Sequence, residues 1–415
     1  MSLIKNTLWN LSGYIIPSLI AIPALGFLAR SLGSERFGLF TLAIAIVGYA
    51  GIFDAGLTRA IIREVAIFKY DTNEKNKIIA TSTLALIVLG CLGGVTIYFS
   101  SSFLAGLLNV KPENIKETVQ SLSLIAISLP FFLINQAWLA ILEGQELFKK
   151  INIIKTFSSS FIAGLPALFV LLGNDLIHAV SGLVIARFFS LIITFISCRN
   201  EISSAGLSYH KTTFFRLLKY GGWVTISNII SPLMAYFDRF IVSHIMGASH
   251  VAYYTAPAEG VQRLSIFPGA LSRAIFPRLS GLQGKEDKKK QRKLAYLLMS
   301  LTCGSVALSG CYFATEIMGL WMGKEFALHS SDILKILLIG FMINSIAQIP
   351  FADIQAAGYS KSTAIIHLCE LLPYFGILYL FIGKWGILGA ACAWTLRVTI
   401  DCIILLVVNA KIRRS

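Results

Sequence analysis

Apolar residues along this chain gather into blocks of about 20, and short polar stretches separate the blocks. At 1.5 Å per residue, a helix of that length matches the roughly 30 Å of hydrocarbon in a bilayer. The pattern predicts twelve helices, near 8–29, 37–57, 78–101, 119–142, 152–173, 177–197, 219–245, 250–276, 294–318, 332–356, 362–382 and 386–409. Little polar sequence remains between them, so no sizeable extramembrane domain is expected. Pro17, Pro23, Pro130, Pro166, Pro232, Pro257, Pro268, Pro350 and Pro373 punctuate the blocks and allow kinks. The predicted fold class is an all-α integral membrane protein.

Composition excludes the alternatives. Hydrophobic residues make up 56% of the 415 and charged ones 14%, with a mean hydropathy of +0.73. A soluble protein carries about twice that charge, and a disordered chain lacks such hydrophobicity. The formal net charge of +15 reads as basic loops on the cytoplasmic side, not as a nucleic-acid surface. One set of loops carries roughly 25 Lys and Arg, including Arg59, Arg63, Lys149, Lys150, Arg216 and the run from Arg273 to Lys293. The other set carries about 7. Both termini are therefore expected in the cytoplasm. The first block lacks a small-residue cleavage site, so no cleaved signal peptide is expected. The seven cysteines form no CxxC and lie in or beside apolar blocks; they read as small hydrophobes.

The chain also repeats itself. LARSLG at 28–33 aligns with VSHIMG at 242–247, and FGLFT at 37–41 with VAYYT at 251–255. At the same offset AGLTRAIIRE (55–64) meets GALSRAIFPR (269–278), and Gly144 meets Gly358. After a four-residue shift, Arg187 pairs with Arg397. The expected organisation is two six-helix lobes, 1–210 and 211–415, related by a pseudo-two-fold axis along the membrane normal. Parallel repeats of this kind build transporters with a substrate path between the lobes.

Ionisable residues at membrane depth are costly, so they mark function or face one another. The candidate cavity cations are Arg30, Arg187, Arg239, Arg263 and Arg397. The candidate ion-coupling or gating acids are Asp54, Asp238, Glu259 and Asp353, and Glu370 and Asp401 are further intramembrane acids. Asp54 has Arg59 and Arg63 near it, and Asp401 lies four residues after Arg397, so each of these has a purely structural explanation. Arg187 and Arg263 have no such partner on their own helices, the acid nearest Arg263 being Glu259 four residues before it. Tyr236, Tyr253 and Tyr254 are candidates for stacking on sugars, or simply for packing. No nucleophile–base pattern, metal-ligand spacing or phosphate-cradling loop is found. The chain is not expected to be an enzyme, and no cofactor is expected beyond a coupling H⁺ or Na⁺.

The stretches LWNLSGYIIP, LARSLGSERFGLFTLA and FDAGLTRAIIREVA resemble the opening of the polysaccharide biosynthesis transporters. These are lipid-linked oligosaccharide flippases of the multidrug/oligosaccharidyl-lipid/polysaccharide exporter superfamily. YFDRFIVSHIMGASHVAYYTAPAEGVQRL, FPRLS, LEGQELFKKINIIK and QAAGYSKSTA extend the resemblance over the whole chain. It implies the multidrug-and-toxin-extrusion fold. It implies transfer of undecaprenyl-diphosphate-linked repeat units to the periplasmic leaflet of the bacterial inner membrane, for O-antigen, capsule or exopolysaccharide assembly. Alternating access would run through a cationic cavity. It places Asp54 and the Asp238–Arg239 pair at family-motif positions. Implied partners are the polyisoprenyl-diphosphate-linked glycan, membrane lipid, and a polymerase and chain-length regulator, with the chain itself a monomer and no nucleic acid bound. The alternatives are an ion-coupled multidrug exporter, which would favour an acidic cavity, and a peptidoglycan lipid-precursor flippase, which needs about two more spans. A membrane glycosyltransferase would need catalytic motifs that are missing here.

Overall fold

The computed structural model describes residues 3–49, 53–269, 271–272, 285–357 and 359–414. Regular structure within them is helical throughout. Ala270, Arg273 to Arg278 of the second repeat copy, FPRLS at 276–280, the start of the basic run and Gly358 lie outside the described residues. So do the side chains of Lys5, Pro232, Lys285, Lys288, Lys361, Arg413 and Arg414.

By packing, the chain divides into two compact units, Met1–Ser249 and His250–Ser415. The first holds α1 (Leu3–Tyr49), α2 (Leu57–Ile67), α3 (Thr72–Leu107), α4 (Ile115–Gly144), α5 (Phe148–Val170), α6 (Leu176–Ala205) and α7 (Lys211–Met246). Apart from its first two residues, α8 (Ala248–Leu264) belongs to the second, with α9 (Lys285–Tyr312), α10 (Ala314–Trp321), α11 (Lys324–Ala356) and α12 (Ser360–Arg414). By its contacts α7 joins the first unit, packing on α1, α2 and α3. In sequence it opens the second copy of the repeat.

Among the described residues eight helical stretches are long and apolar enough to cross a membrane. They are Ile16–Tyr49, Thr72–Leu107, Pro112–Gly144, Phe148–Val170, Leu176–Ala205, Lys289–Tyr312, Lys324–Gln355 and Ile365–Ile412. Two of them carry an internal break, at Gly33 and Gly386. Both breaks fall where the hydrophobic pattern separates one expected span from the next. The expected span 219–245 falls on α7, and the first part of 250–276 on α8; the end of the latter, from 273, lies outside the described residues.

Helix ends follow local chemistry. Asp71 caps α3 by accepting from the Glu74 N–H at 3.0 Å, and Asp175 caps α6 through the His178 N–H at 2.8 Å. Gly206, at φ 64°, closes α6. Along α3, Val88, Leu92, Val95, Phe99 and Phe103 form one exposed apolar stripe at helical spacing, suited to lipid. The opposite face carries Gly90 and Gly94, where a Cβ would stand 2.7 Å from Pro130 Cα and 2.7 Å from Ala126 O of α4. Small residues let these two backbones approach, as membrane helices without a hydrophobic driving force require.

The repeat has a backbone signature. Gly33 (φ 76°, ψ 170°) and Gly247 (φ 89°, ψ 164°) adopt the same unusual conformation. Asn109 and Gly323, also equivalent, both have positive φ, at 50° and 107°. Both pairs stand at the offset that matches 37–41 with 251–255.

One helix departs from expectation. The pattern leaves 58–77 as a polar connection, yet α2 occupies Leu57–Ile67. Its 11 residues are too few for a span, and its buried apolar residues are Leu57, Ala60, Ile61 and Val65 on one face. They pack with Ile78, Leu86, Leu133, Trp138, Ile154, Cys198 and Leu217 into a buried core joining α2 to α3, α4, α5, α6 and α7. The elbow before α2 is tight. Ala55 and Gly56 have φ of 48° and 70°, and a Cβ on Gly56 would stand 2.0 Å from the Gly221 oxygen of α7. At Gly33 a Cβ would meet nothing within 4 Å. Gly33→Ala should therefore cost only backbone strain, about 1–2 kcal/mol. Gly56→Ala should cost on the order of 3 kcal/mol or more. Thermal unfolding in detergent checks the order, with Gly106→Ala, at an open helical site, as the neutral control.

Candidate functional site

Three of the expected site residues meet on the seam between α1 and α7. Gly48 presents no side chain, so the Tyr236 ring closes on α1; a Cβ there would lie 3.2 Å from its Cε2. Tyr49 then packs edge-on against Tyr236 (6.4 Å, 69°) and Phe240 (5.6 Å, 64°). The Arg239 guanidinium lies 5.1 Å over the Tyr236 ring. Asp238 Oδ1 accepts from the Arg239 backbone N–H at 2.8 Å. Both charged residues are buried. Tyr49 was not singled out from sequence; its only signal is the glycine before it.

Arg187 sits on α6, facing α4. Its guanidinium lies 5.0 Å over the Phe132 ring, and Nε is buried without a hydrogen-bond partner. Among the described residues it has no ion-pair partner. One turn on, Ser190 Oγ donates to Ser158 Oγ at 2.7 Å and accepts from Asn135 Nδ2 at 3.3 Å. A cation–π contact contributes about 0.5–2 kcal/mol, against several for dehydrating the ion. The balance is made up only by water or by an anion. The Asn135–Ser190–Ser158 chain was missed in sequence because hydroxyls and amides in apolar helices carry no distinctive pattern.

A denser ionic cluster stands where α2, α3 and α7 meet. Asp54 stabilises the start of α2, its Oδ1 accepting from the Thr58 N–H and from Thr58 Oγ1, both at 3.0 Å. Arg63 bonds instead to its neighbour Glu64, Nη1 to Oε1 at 2.7 Å. Glu64 is buried and also faces Arg216 Nε of α7 at 2.9 Å. Arg216 reaches on to Glu74 of α3 at 3.0 Å, which Lys77 shares at 2.9 Å. Arg63 covers Tyr220 at 4.8 Å and Arg216 covers Phe68 at 4.9 Å.

The second unit holds its candidates in pairs. Glu259 and Arg263 approach to 4.0 Å one turn apart on α8. Asp353 of α11 is buried and accepts from Arg292 of α9 at 3.4 Å. Arg397 Nε lies 3.9 Å from Glu370 Oε2, with its guanidinium 5.3 Å over Tyr374. Tyr253 stacks on His329 (4.6 Å, 21°) and its hydroxyl donates to Glu325. Tyr254 is fully buried in packing. In the first unit Arg30 is exposed and donates from Nε to the Gly26 oxygen at 3.2 Å. Among the described residues no group of three His, Cys, Asp or Glu side chains has the geometry to hold a metal ion.

Residues 3–283 match the family of polysaccharide biosynthesis proteins. The chain is 48% identical over 405 residues to a candidate O-antigen transporter of Shigella flexneri, covering 98% of this chain and 97% of that one. Among solved structures it resembles the lipid II flippase MurJ in an inward closed conformation. There the TM-score is 0.79 at 15% identity, over 97% of this chain and 87% of that one. It also resembles an inward-facing MATE family multidrug resistance transporter of the MOP superfamily. There the TM-score is 0.77 at 15% identity, over 98% and 99%.

The α2–α3–α7 cluster makes a stability prediction. Arg216→Ala leaves buried Glu64 with Arg63 alone. Because Arg216 is itself partly exposed, the loss should be about 1–2 kcal/mol, below the cost of breaking a fully buried pair. A lowered unfolding midpoint in detergent, partly restored by Arg216→Lys, checks it.

Proposed function

This chain belongs to the polysaccharide biosynthesis protein family, and from that premise we propose that it flips lipid-linked oligosaccharide units from the cytoplasmic to the periplasmic leaflet of the inner membrane. It is a multi-pass membrane transport protein and not an enzyme. The cargo class is a glycan on a polyisoprenyl diphosphate, destined for O-antigen or a related surface polysaccharide.

The observation that carries this reading is Arg187, a half-buried guanidinium with an enclosed Nε, an aromatic face and no counter-charge among the described residues. A diphosphate is the complementary group. Bare in hydrocarbon its headgroup would cost tens of kcal/mol on a Born estimate. A guanidinium offers paired N–H donors that replace its water. The polyprenyl tail never leaves the lipid, so only the headgroup needs a polar route. Arg30, Arg239, Arg263 and Arg397 are the further candidates for that route. Alternating access between lobes 1–210 and 211–415 is the motion that the repeat supports, with both termini cytoplasmic as the basic loops suggest. Asp54, Asp238, Glu259 and Asp353 are the candidates for gating or ion coupling, and Tyr236 offers a ring to sugars. A polymerase and a chain-length regulator are the expected neighbours. A pump for cationic drugs is disfavoured by Arg187, a positive charge with no counter-charge among the described residues.

The test is complementation of a strain whose surface glycan depends on this chain. Arg187→Met removes a charge that hydrocarbon penalises, so the protein should stay in the membrane at wild-type level. Surface glycan should fall at least about tenfold, the worth of one charge-assisted contact. Arg187→Lys should recover part. Full surface glycan in Arg187→Met would remove the cationic route.

A further inference from the structure

The break at Gly386 (φ 59°) lays residues 365–377 of α12 beside 397–404 of the same element. Between them is a cavity of about 320 Å³. Its walls are apolar, with Ile366, Ile377, Ile400 and Ile404 among them, yet Glu370 and Arg397 also line it.

Four ionisable side chains stand at this place. Glu370 and Asp401 are only 8% and 7% exposed. Arg397 Nε lies 3.9 Å from Glu370 Oε2, and His367 Nε2 lies 3.6 Å from Asp401 Oδ1. Both Glu370 oxygens and Asp401 Oδ1 are buried without a hydrogen bond. Among the described residues, what else packs here is nearly all neutral. From α11, Phe351 stacks on the His367 ring (5.8 Å, 4°), while Ala347 and Ile354 pack with Cys402 and Leu405. The α11 acid, Asp353, is already engaged by Arg292. Along α12 itself, among the described residues lining this place, the Tyr374 hydroxyl and the Cys369 and Cys402 thiols are added.

The charges do not close without a proton. One guanidinium balances one carboxylate. Two ionised carboxylates beside a single Arg leave a net negative charge in hydrocarbon, which is strongly disfavoured. We propose that Glu370, Asp401 and His367 form a proton-binding site that couples transport to the proton gradient. One proton is taken from water onto the carboxyl pair, held there or on the His367 imidazole, and released to water on the other side. Only O–H or N–H bonds form and break. With the proton bound the group is neutral and tolerates a closed, dry cavity. Without it the group carries one negative charge and favours the arrangement in which water enters between the two halves of α12. The bend at Gly386 is where that opening is accommodated. Sodium suits the place poorly, because Arg397 repels a cation there and no three-ligand group exists among the described residues. The coupling role rests on the transport reading above; the proton site does not.

Two measurements separate them. The first is infrared difference spectroscopy of the purified protein in lipid, between acid and alkaline pH. Wild type should show the C=O stretch of a buried carboxylic acid disappearing as pH rises, and Glu370→Gln and Asp401→Asn should each lose that band. The second is flipping of a fluorescent polyprenyl-diphosphate sugar in proteoliposomes under an imposed pH gradient. Wild type should accelerate several-fold, Glu370→Gln should show no acceleration, and a sodium gradient should have no effect. A wild type without a titrating buried carboxyl, or a band that survives in both variants, overturns the site; the wild-type spectrum decides even if neither variant folds. Undiminished acceleration in Glu370→Gln overturns the coupling. A protein that titrates as described but moves no lipid-linked sugar leaves the proton site standing and removes the flippase reading.

Discussion

Hydrocarbon offers a charge no water, so every ionised side chain within a span must find its compensation from the protein or from what the protein carries. Most of the charges here are matched locally. Glu64 has Arg63 and Arg216, Asp353 has Arg292, and Glu259 has Arg263 one turn away. Arg187 is different. The Phe132 ring supplies only part of what dehydration costs, about 0.5–2 kcal/mol against several. The neighbouring Asn135–Ser190–Ser158 chain shows that polar groups can be accommodated at this depth.

Backbone geometry governs where this charged interior can rearrange. Positive φ values are confined to a few positions, and two pairs of them recur at the repeat offset: Gly33 with Gly247, and Asn109 with Gly323. Each lies where one helix gives way to the next. Within the helices the close approaches run the other way. Gly90 and Gly94 lock α3 to α4, and the Ala55–Gly56 elbow meets Gly221 backbone to backbone. Contacts this tight do not slide, because a shift of a few tenths of an ångström meets hard repulsion. Motion is therefore channelled to the junctions.

The fold class was readable from block length alone, since few other structures place twenty apolar residues in succession so often. The junctions at Gly33 and Gly386 were readable for the same reason. Helix α2 was not. Its core face is built from Leu57, Ala60, Ile61 and Val65, and Thr58, Arg59, Arg63 and Glu64 hide that face under loop-like polarity. The candidate charges could be named from sequence because an Arg or Asp in an apolar block stands out; buried Glu64, in a polar stretch, did not. The partners of these charges could not be named. Arg216 bridging to Glu64 and Glu74, or His367 facing Asp401, joins residues from different helices, and spacing along one helix carries no information about that. Arg263 was expected to have no partner on its own helix, yet it approaches Glu259 one turn before it. At Arg397 the i,i+4 spacing misled in part: the basic group faces Glu370 across the bend, and Asp401 faces His367.

The two units carry imbalances of opposite sign. Among the described residues, Arg187 in the first lacks an anion; in the second, the pair Glu370 and Asp401 exceeds the single Arg397 by one negative charge. In the proposed reading an anionic headgroup satisfies the one and a proton the other. If each ligand favours the same arrangement of the helices, linkage requires that either one tighten the binding of the other by the same factor. Driving a lipid-linked anion against a gradient then needs no contact between headgroup and proton. It needs only that both deficits be costly in the closed form and tolerable in the hydrated one, which is the property that hydrocarbon confers on any unmatched charge.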